Sequence, residues 1–347
     1  MKVAVGLSGG IDSAVALALL KAEGHEVFGL TMRLWQAGRY RGGAKDACFG
    51  PGEAADIARA QALCQRLGVP LHVIDCAEAY ERHILADFRA EYLAGRTPNP
   101  CLRCNAMMKF GLLPRLARES GLAFDRFATG HYARLRHAAD GTIRLLMAAD
   151  RTKDQTYFLA RLAQAQLREA LFPLGERTKA EVRELARTLA PEMLSLAESQ
   201  DFYSGELGEL IGRPDVPGPI EDTTGQRLGT HRGHWHYTLG QRKGLGIAAA
   251  RPLYVLRIDP CRNALVVGPA EATRAHRLTL GPLHWIAQPA EGELEVRVRS
   301  SARPVPATRC GQTLTVPGGL FAPAPGQTTV FSRGEEILGC ALIEKGS

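Results

Sequence analysis

The first thirteen residues, MKVAVGLSGGIDS, constrain the fold of this chain more than any other stretch. The apolar residues 3–7 predict a buried strand, Ser8-Gly9-Gly10 predicts a tight turn, and residues 11–22 predict a helix. This order points backbone N–H groups and the positive end of a helix dipole at one place, which suits phosphate oxygens. The glycines allow positive φ and a close approach of backbone to ligand. The sequence therefore predicts an α/β domain that binds a phosphorylated compound.

The turn differs from the two commonest phosphate-binding loops. It lacks the Gly-x-x-x-x-Gly-Lys-Ser/Thr pattern of ordinary ATPases and the Gly-x-Gly-x-x-Gly pattern of dinucleotide-binding folds. Instead, SGGIDS resembles the loop of the N-type ATP pyrophosphatases, the PP-loop enzymes with the adenine nucleotide alpha hydrolase-like fold. The resemblance implies that ATP is cleaved between its α and β phosphates to adenylate a substrate, with Mg²⁺ offsetting the charge of the departing pyrophosphate. Asp12 is a candidate for orienting that ion or for capping the helix.

Strand and helix patterns alternate over the first half of the chain. Residues 26–34, 71–76 and 124–129 predict buried strands, whereas residues 54–67, 77–94 and 106–120 predict helices. Such alternation indicates a parallel sheet covered on both faces, and ligands of such sheets bind beyond the carboxyl ends of the strands. Ser8, Met32, the loop at residues 96–105 and Gly130 all follow predicted strands, so we expect them to converge on one site.

The pattern changes near Ser199, where short alternating runs such as LYVLRI and ELEVRVRS replace the helical period. Runs of this kind are typical of small β domains. We therefore expect three parts: an N-type ATP pyrophosphatase domain over residues 1–198, a small central β domain over residues 199–276, and a C-terminal β-barrel over residues 277–347.

Charge and cysteine content indicate the setting in which such a chain works. A net charge of +7 favours a polyanionic partner. No uncharged run reaches the eighteen or so apolar residues of a membrane span, and Asp12 interrupts what would otherwise resemble a signal peptide. The eight cysteines form no small-domain framework, so we expect reduced thiols, a cytoplasmic location and no membrane partner.

The loop TPNPCLRCN carries two cysteines, Cys101 and Cys104, in a C-x-x-C spacing. Thiolate is the reactive form of cysteine, and a helix N-terminus beside Arg103 and Lys109 is expected to lower the pKa of Cys104. That pattern is typical of a nucleophile. The same spacing suits two ligands of one metal, and thiolates favour zinc or iron–sulfur clusters. Both readings stay open on these residues alone.

Several long motifs occur in a fixed order along the chain: SGGIDS, GRTPNPCLRCN, ATGHYAR, KDQTYFL, FPLGERTKAEVR, ESQDFYSGE and HYTLGQRKGLGI. Together they resemble the tRNA-specific 2-thiouridylase family from end to end. The resemblance implies an enzyme that replaces the C2 oxygen of the wobble uridine in tRNA by sulfur: ATP adenylates the oxygen, sulfur attacks C2, and AMP leaves. It implies two partners, tRNA and a sulfur donor (a protein persulfide carrier or sulfide), and a uridine flipped into the α/β site.

The resemblance also implies roles for individual residues. The nucleotide phosphates would contact Gly6, Leu7, Ser8, Gly9, Gly10, Ile11, Asp12 and Ser13, and adenosine would contact Met32 and Gly130. The tRNA would contact Asn99 and Pro100, which approach the target base, and also His131, Lys153, Asp154 and Gln155. Cys104 matches the nucleophilic cysteine of the family.

Two departures from the family pattern affect the sulfur chemistry. Cys101 stands where many members have aspartate, and Tyr203 stands where a second, persulfide-bearing cysteine is usual. A relay with that second cysteine is therefore excluded. Either Cys101 and Cys104 themselves handle sulfur as a persulfide, or they ligate a 4Fe-4S cluster that binds incoming sulfide. A cluster normally has a third thiolate, for which Cys48 in KDACFGPGE is the better candidate and Cys76 another.

Two other functions share part of the pattern. A different adenylating enzyme, such as an amidotransferase-type synthetase, needs an ammonia source, and no glutaminase-like segment is visible. A non-catalytic, cluster-bearing tRNA-binding protein has no need of a pyrophosphatase loop. The sequence therefore favours a tRNA-uridine 2-sulfurtransferase, and release of AMP only in the presence of tRNA separates it from both rivals.

Overall fold

The computed structural model describes residues 1–43, 47–195, 201–286 and 291–347. The helices in these ranges are α1 Ile11–Ala22, α2 Glu53–Arg66, α3 Ala77–Tyr80, α4 Ala86–Leu93, α5 Pro100–Cys104, α6 Leu113–Glu119, α7 Thr156–Leu159, α8 Gln164–Glu169, α9 Lys179–Leu189 and α10 Leu207–Ile211. Glu81–Leu85 joins α3 to α4 as a π-helical turn, and Asn105–Leu112 joins α5 to α6 in the same way. Short 3₁₀ helices span Pro191–Met193, His234–His236 and Ala270–Thr273. None of the described helices is both long and apolar enough to cross a membrane.

The strands divide between an α/β half and a β half of the chain. Those of the first half are β1 Lys2–Gly6, β2 Glu26–Arg33, β3 Ala47–Phe49, β4 Leu71–Asp75, β5 Arg126–Thr129, β6 Ala133–His137, β7 Ile143–Met147, β8 Ala170–Leu171 and β9 Asp201–Tyr203. Those of the second half are β10 Gly218–Glu221, β11 Arg227–His231, β12 Tyr254–Asp259, β13 Ala264–Gly268, β14 Arg274–Trp285, β15 Gly292–Arg297, β16 Val305–Cys310, β17 Thr313–Phe321, β18 Thr328–Arg333 and β19 Glu336–Gly346.

A five-stranded sheet in the order β4-β2-β1-β5-β8 forms the core of the first half, and every neighbouring pair in it is parallel. β1 is buried on both faces. Val3 and Val5 pack with residues of α1, α2 and α9, whereas Ala4 faces a second cluster that contains Phe28 and residues of α6. Helices on both faces explain why β1 is continuously apolar. The predicted parallel α/β sheet is confirmed.

The segment with the C-x-x-C spacing is helical, which corrects the predicted proline-punctuated loop. Asn99 caps α5, because its Oδ1 accepts the Leu102 N–H at 3.1 Å, and Pro100 occupies the first helical turn. A side-chain cap followed by a proline with fixed φ is a strong helix start. The helix therefore begins at Pro100 rather than near residue 106, and Cys104 lies one turn inside it, because Asn105–Leu112 continues the helix into α6.

The second half is built of β-strands, as predicted. A four-stranded sheet in the order β11-β10-β13-β12 is followed by a barrel of six strands, β14-β17-β16-β15-β18-β19, which closes through antiparallel pairing of β14 with β19. β14 runs without interruption across the predicted domain boundary at residues 276 and 277. The other predicted boundary, at residue 198, falls outside the described residues.

The β6–β7 hairpin, which the sequence analysis missed, joins the barrel to the first half. β7 pairs antiparallel with β19, so that Leu146 lies opposite Glu336. A second connection is the ion pair of 2.8 Å between Arg297 of the barrel and Asp154, whose side chains are both almost completely buried. The Tyr157 hydroxyl lies 2.8 Å from the carbonyl oxygen of Thr328. The barrel is thus fixed to the sequence that follows β7.

Candidate active site

One cavity of about 350 Å³ opens at the carboxyl ends of β1, β2 and β5. The glycine turn lines one part of it, and Cys48, Cys101 and Cys104 line another. Met32 and Gly130 also reach this cavity. The structure therefore brings together the four segments that the sequence analysis expected to converge.

The glycine turn presents an uncapped helix N-terminus to the cavity. Gly10 is the N-cap residue of α1 and supplies no side-chain hydrogen bond to the first turn. The Ser13 hydroxyl donates to the Gly10 carbonyl oxygen at 3.1 Å and lies 3.2 Å from the Ser8 hydroxyl. Because the first N–H groups of α1 have no capping side chain, they are suited to phosphate oxygens.

Glycine is required at positions 9 and 130 by the packing around the turn. Gly9 has a φ of 74°, and a Cβ atom there would lie 2.6 Å from the Asp56 carbonyl oxygen. A Cβ atom at Gly130 would lie 2.6 Å from the backbone nitrogen of Ser13. The loop after β5 therefore touches the first turn of α1, while α2 touches the glycine turn itself.

Asp12 is held by two residues that the sequence analysis did not single out. Lys179 Nζ lies 2.7 and 2.9 Å from the two carboxylate oxygens, and the Tyr132 hydroxyl donates to one of them at 2.9 Å. Lys179 is largely buried, at 8% exposure. Both residues lie in quoted motifs, FPLGERTKAEVR and ATGHYAR, but nothing in those letters points to a partner far away in the chain.

The two thiols of α5 have pKa values shifted opposite to the sequence expectation. Burial raises the pKa of Cys101 to about 12 and that of Cys104 to about 11, and it outweighs the opposing effect of Lys109. Arg103 supplies no compensation, because its Nε donates to the His83 carbonyl oxygen and its guanidinium pairs with Asp87. Cys104 lies one turn inside a helix that continues from α5 through Asn105–Leu112 into α6, and burial outweighs any effect of the helix dipole there. Both resting groups are therefore neutral thiols.

Cys48 reaches the same cavity from β3. This strand pairs in parallel with β9, with Phe49 opposite Tyr203. Phe49 is buried in an aromatic cluster, whereas Cys48 is exposed and lines the cavity. The charge of a Cys48 thiolate would raise the pKa of both Cys101 and Cys104, which reflects their proximity.

Tyr203 has its hydroxyl turned to Glu209, to which it donates a hydrogen bond. Its ring centroid lies 6.0 Å from that of Phe49. The residue that lines the cavity from this strand is Phe202. Tyr203 thus packs against the β3 segment, and residues 198–200 of the same motif lie outside the described residues.

The thiols at the cavity are the kind of donor that could ligate a metal. All eight cysteines are free thiols. Within the described ranges, however, no three His, Cys, Asp or Glu side chains stand close enough together to hold a metal ion. Cys48, Cys101 and Cys104 are the right kind of ligand for iron, but their arrangement does not fit a preformed iron–sulfur cluster. Cys76 is buried beside Cys104, and burial raises its pKa to about 12.

The residues expected to contact tRNA occupy two different environments. Asn99, Pro100 and His131 lie at or beside the cavity, and burial lowers the pKa of His131 well below its usual range, so that its imidazole is neutral. Gln155 lines the cavity and accepts the Tyr132 N–H at 2.9 Å.

Asp154 and Lys153 lie beside Gln155 in the chain. The Asp154 side chain is only 4% exposed, and it binds Arg297, the Thr156 hydroxyl and the Ala148 N–H. Lys153 is half-buried, and its N–H donates to the Asp150 carbonyl oxygen. The contacts of Asp154 therefore hold the barrel rather than face a ligand.

Comparison with known proteins gives matches along the whole chain. Residues 1–203 match the family model described as the tRNA methyl transferase HUP domain. Residues 208–269 match the tRNA methyl transferase PRC-barrel domain, and residues 275–343 match the aminomethyltransferase beta-barrel domain.

Curated relatives match over nearly their full length. The chain is 40% identical over 358 aligned residues to the tRNA-specific 2-thiouridylase MnmA of Endomicrobium trichonymphae, covering 99% of each chain. It is 42% identical over 362 aligned residues to the protein of that name from Chloroflexus aurantiacus, covering 99% of this chain and 98% of the other. Among solved structures, a 4-thiouridine synthetase–RNA complex with bound ATP matches at a TM-score of 0.37 and 16% identity, covering 61% of this chain and 46% of that one.

Proposed function

Since the chain belongs to the tRNA-specific 2-thiouridylase family, we propose that it uses ATP to replace the C2 oxygen of the wobble uridine in tRNA by sulfur. The observation that carries the proposal is the single cavity bounded by both an uncapped glycine turn and three thiols. Adenylation and sulfur transfer must reach the same carbon atom, and a cavity of this kind lets one flipped pyrimidine meet both groups.

The reaction has two bond exchanges at the uridine. The O2 oxygen attacks the α-phosphorus of ATP, the bond from that phosphorus to the α–β bridging oxygen breaks, and pyrophosphate leaves. Sulfur then attacks C2, the C2–O2 bond breaks, and AMP leaves with the former uridine oxygen. The N–H groups of the first turn of α1 stabilise the phosphate charge in the first exchange. His131 lines the cavity with a neutral imidazole, because burial lowers its pKa, so it places no positive charge beside the flipped base.

Mg²⁺ accompanies ATP in this proposal and offsets the charge on the departing pyrophosphate. Magnesium sites in ATP-using enzymes commonly combine one or two carboxylates with phosphate oxygens. Asp12 fits that requirement, because its carboxylate lines the cavity beside the glycine turn. Lys179 and Tyr132 hold that carboxylate in place.

Sulfur transfer is assigned to the Cys104 and Cys101 pair. A donor persulfide passes its outer sulfur to Cys104, and the thiol proton of Cys104 passes to the thiolate that the donor releases, so that the donor leaves as a thiol. The outer sulfur of Cys104 attacks C2 as AMP departs; Cys101 then attacks the inner sulfur, and its thiol proton passes to the departing 2-thiouridine. The S–S bond breaks, 2-thiouridine leaves, and an external dithiol reduces the Cys101–Cys104 disulfide. A C-x-x-C pair on one helix suits this exchange.

An iron–sulfur cluster is the rival route, and it would use Cys48 as third ligand. We derive no step through a cluster, because the three thiols do not form a metal-binding group. The dithiol route predicts that anaerobically purified protein without iron and acid-labile sulfide transfers sulfur, and that Cys48→Ser keeps this activity. If sulfur transfer requires iron, and if the Cys48→Ser protein loses both the iron and the activity, the cluster route is established instead.

The tRNA contacts are proposed for the rim of the cavity and the basic surface of the chain, whose net charge is +7. We propose that Asn99, Pro100, His131 and Gln155 approach the flipped base and that Lys153 meets the tRNA backbone; that His131 and Gln155 line the cavity supports this. Asp154 acts instead as a positioning residue, because its carboxylate is occupied by Arg297. We expect the reaction in the cytoplasm, where thiols stay reduced.

The proposal is tested with purified protein, Mg²⁺-ATP, a small-molecule persulfide and unmodified tRNA that carries the wobble uridine. We expect AMP and 2-thiouridine in equal amounts, and neither product with tRNA whose wobble base is cytidine. AMP formation without thiouridine would point to another adenylating reaction. No AMP under any condition would leave a binding protein and contradict the proposal.

A further inference from the structure

The phosphate end of the cavity carries a cation that the reaction above does not use, Arg59 of α2. Among the described residues that line the cavity, Arg59 and Lys109 are the arginine and the lysine, and they act at different places. Lys109 influences the pKa values of Cys101 and Cys104, whereas Arg59 Nε lies 3.4 Å from the Gly9 carbonyl oxygen. Each basic group therefore serves a different end of the cavity.

The position of Arg59 is fixed by the packing of α2. Glu53, the first residue of this helix, accepts the backbone N–H groups of Leu34 and Trp35 at 2.7 and 3.0 Å, which ties α2 to the end of β2. One turn later, the Asp56 carbonyl oxygen lies so close to Gly9 that no Cβ atom would fit between them. α2 thus holds its next turn directly beside the phosphate-binding backbone.

The side chain of Arg59 is oriented and still accessible. Its guanidinium pairs with the Asp56 carboxylate one turn earlier, and about a third of the side chain is exposed. A guanidinium has five N–H donors in a planar fork, so pairing with one carboxylate leaves donors for phosphate oxygens. Without Arg59, a triphosphate at the glycine turn would face the charge of Asp56.

We infer that Arg59 binds the β- and γ-phosphates of ATP and stabilises pyrophosphate as it leaves. Negative charge grows on the α–β bridging oxygen when its bond to the α-phosphorus breaks, and a cation fixed in advance stabilises that charge without reorganisation. Asp56 is a positioning residue in this arrangement, because it orients the guanidinium. The pyrophosphate step rests on the proposed function; the binding of ATP does not.

The inference is tested by titration calorimetry of the full chain with Mg²⁺-ATP and, separately, with AMP. We expect Arg59→Gln to weaken ATP binding about tenfold to a hundredfold, because a charge-assisted phosphate contact is lost. AMP affinity should stay within about twofold of the unchanged protein, since AMP lacks the phosphates that Arg59 contacts. The ATP affinity of Arg59→Lys should lie between those of Arg59→Gln and the unchanged protein, because lysine keeps the positive charge but lacks the planar set of N–H donors.

Arg66→Gln is the matched control on the same helix. The Arg66 guanidinium binds Glu192 and the Leu189 carbonyl oxygen, away from the cavity, so this change should leave the ATP-to-AMP affinity ratio unaltered. If Arg59→Gln weakens ATP and AMP equally, or weakens neither, the inference is overturned. Because the readout is binding, it stands or falls independently of whether the unchanged protein thiolates tRNA.

Discussion

The thiol of Cys104 experiences two opposing influences on its pKa, and the sequence reveals only one of them. Lys109 nearby lowers the pKa, as the sequence analysis expected, but burial raises it further, to about 11. Charges next to a cysteine are visible in the printed letters, whereas burial depends on the fold around it. The sequence therefore predicted the wrong direction for the pKa shift of Cys104, whose role as nucleophile stays a prediction.

This pKa predicts strongly pH-dependent alkylation. We expect the rate of Cys104 modification by iodoacetamide to rise about tenfold per pH unit from pH 7 to 9, because only thiolate reacts and its fraction rises in that proportion below the pKa. Lys109→Met should lower the rate at every pH, since it removes the cation that favours thiolate. Peptide mass spectrometry resolves the site, and a rate that levels off near pH 8 would contradict the raised pKa.

Gly9 predicts a substitution that separates backbone strain from loss of the phosphate site. Gly9→Ala places Cβ against the Asp56 carbonyl oxygen and should reduce ATP affinity at least tenfold, because α2 or the turn must shift. Gly24→Ala is the control: Gly24 has a similar φ of 83°, but a Cβ atom there meets nothing within 4 Å. It should cost about 1 kcal/mol of stability and leave ATP binding unchanged. Calorimetric titration measures the ATP affinity of both variants, and thermal unfolding measures their stability. An equal loss of ATP affinity in both variants would contradict a specific role of Gly9 at the phosphate site.

Residues that depend on distant partners could not be found from the sequence. Lys179 meets Asp12 because α9 packs beside α1, and Arg59 meets Gly9 because α2 packs on β2 and against the glycine turn. Gly9, by contrast, was recognisable because its neighbours in the chain already define the turn. The conformation of a turn can thus be predicted from neighbouring residues, whereas contacts between side chains of distant helices cannot.

At the scale of elements, α5 shows how a helix boundary determines chemistry. The prolines of TPNPCLRCN suggested a loop, yet a proline at the first turn of a helix is compatible with that helix when a cap precedes it. The Asn99 cap and Pro100 start the helix early, and Cys101 and Cys104 then lie one turn apart on it. The predicted strands at residues 26–34, 71–76 and 124–129 correspond to β2, β4 and β5, because their apolar runs are continuous, whereas β3 and the strands β6 to β9 were not predicted.

Removal of the cap should affect stability and sulfur transfer together. We expect Asn99→Ala to lower the free energy of unfolding by about 1 kcal/mol, because the Leu102 N–H loses its acceptor. Thiolation should slow as well, since the first turn carries Cys101. Asn99→Asp keeps an acceptor at the same place and should restore most of the stability. Urea unfolding measures the first effect, and a fully stable Asn99→Ala protein would argue against the cap.

For the whole molecule, the buried pair of Asp154 and Arg297 connects the barrel to the cavity. The two side chains come from different halves of the chain, and Gln155, the neighbour of Asp154, lines the cavity. The sequence pointed to both halves but not to their junction, because short alternating strands carry no information about which edge they pair with. The β6–β7 hairpin was missed for the same reason.

Loss of one partner of this pair should be costly. Arg297→Met leaves the Asp154 carboxylate buried without its cation, and we expect the free energy of unfolding to fall by about 3 kcal/mol. Arg115→Met, which removes an exposed pair with Glu119, should cost less than about 0.5 kcal/mol. Chemical denaturation compares the two variants. If both variants lose a similar free energy of unfolding, burial does not make the Asp154–Arg297 pair more important for stability than an exposed pair.

The pairing of β7 with β19 has a consequence for how the polypeptide is made. Leu146 emerges from the ribosome about 190 residues before Glu336, the residue that lies opposite it. At a synthesis rate of roughly 5 to 20 residues per second, the β7 edge of the hairpin is made about 10 to 40 s before the part of β19 that pairs with it. The nascent chain must keep that edge from pairing with other strands until translation is nearly finished, so newly made protein should depend on chaperones more than its final stability suggests.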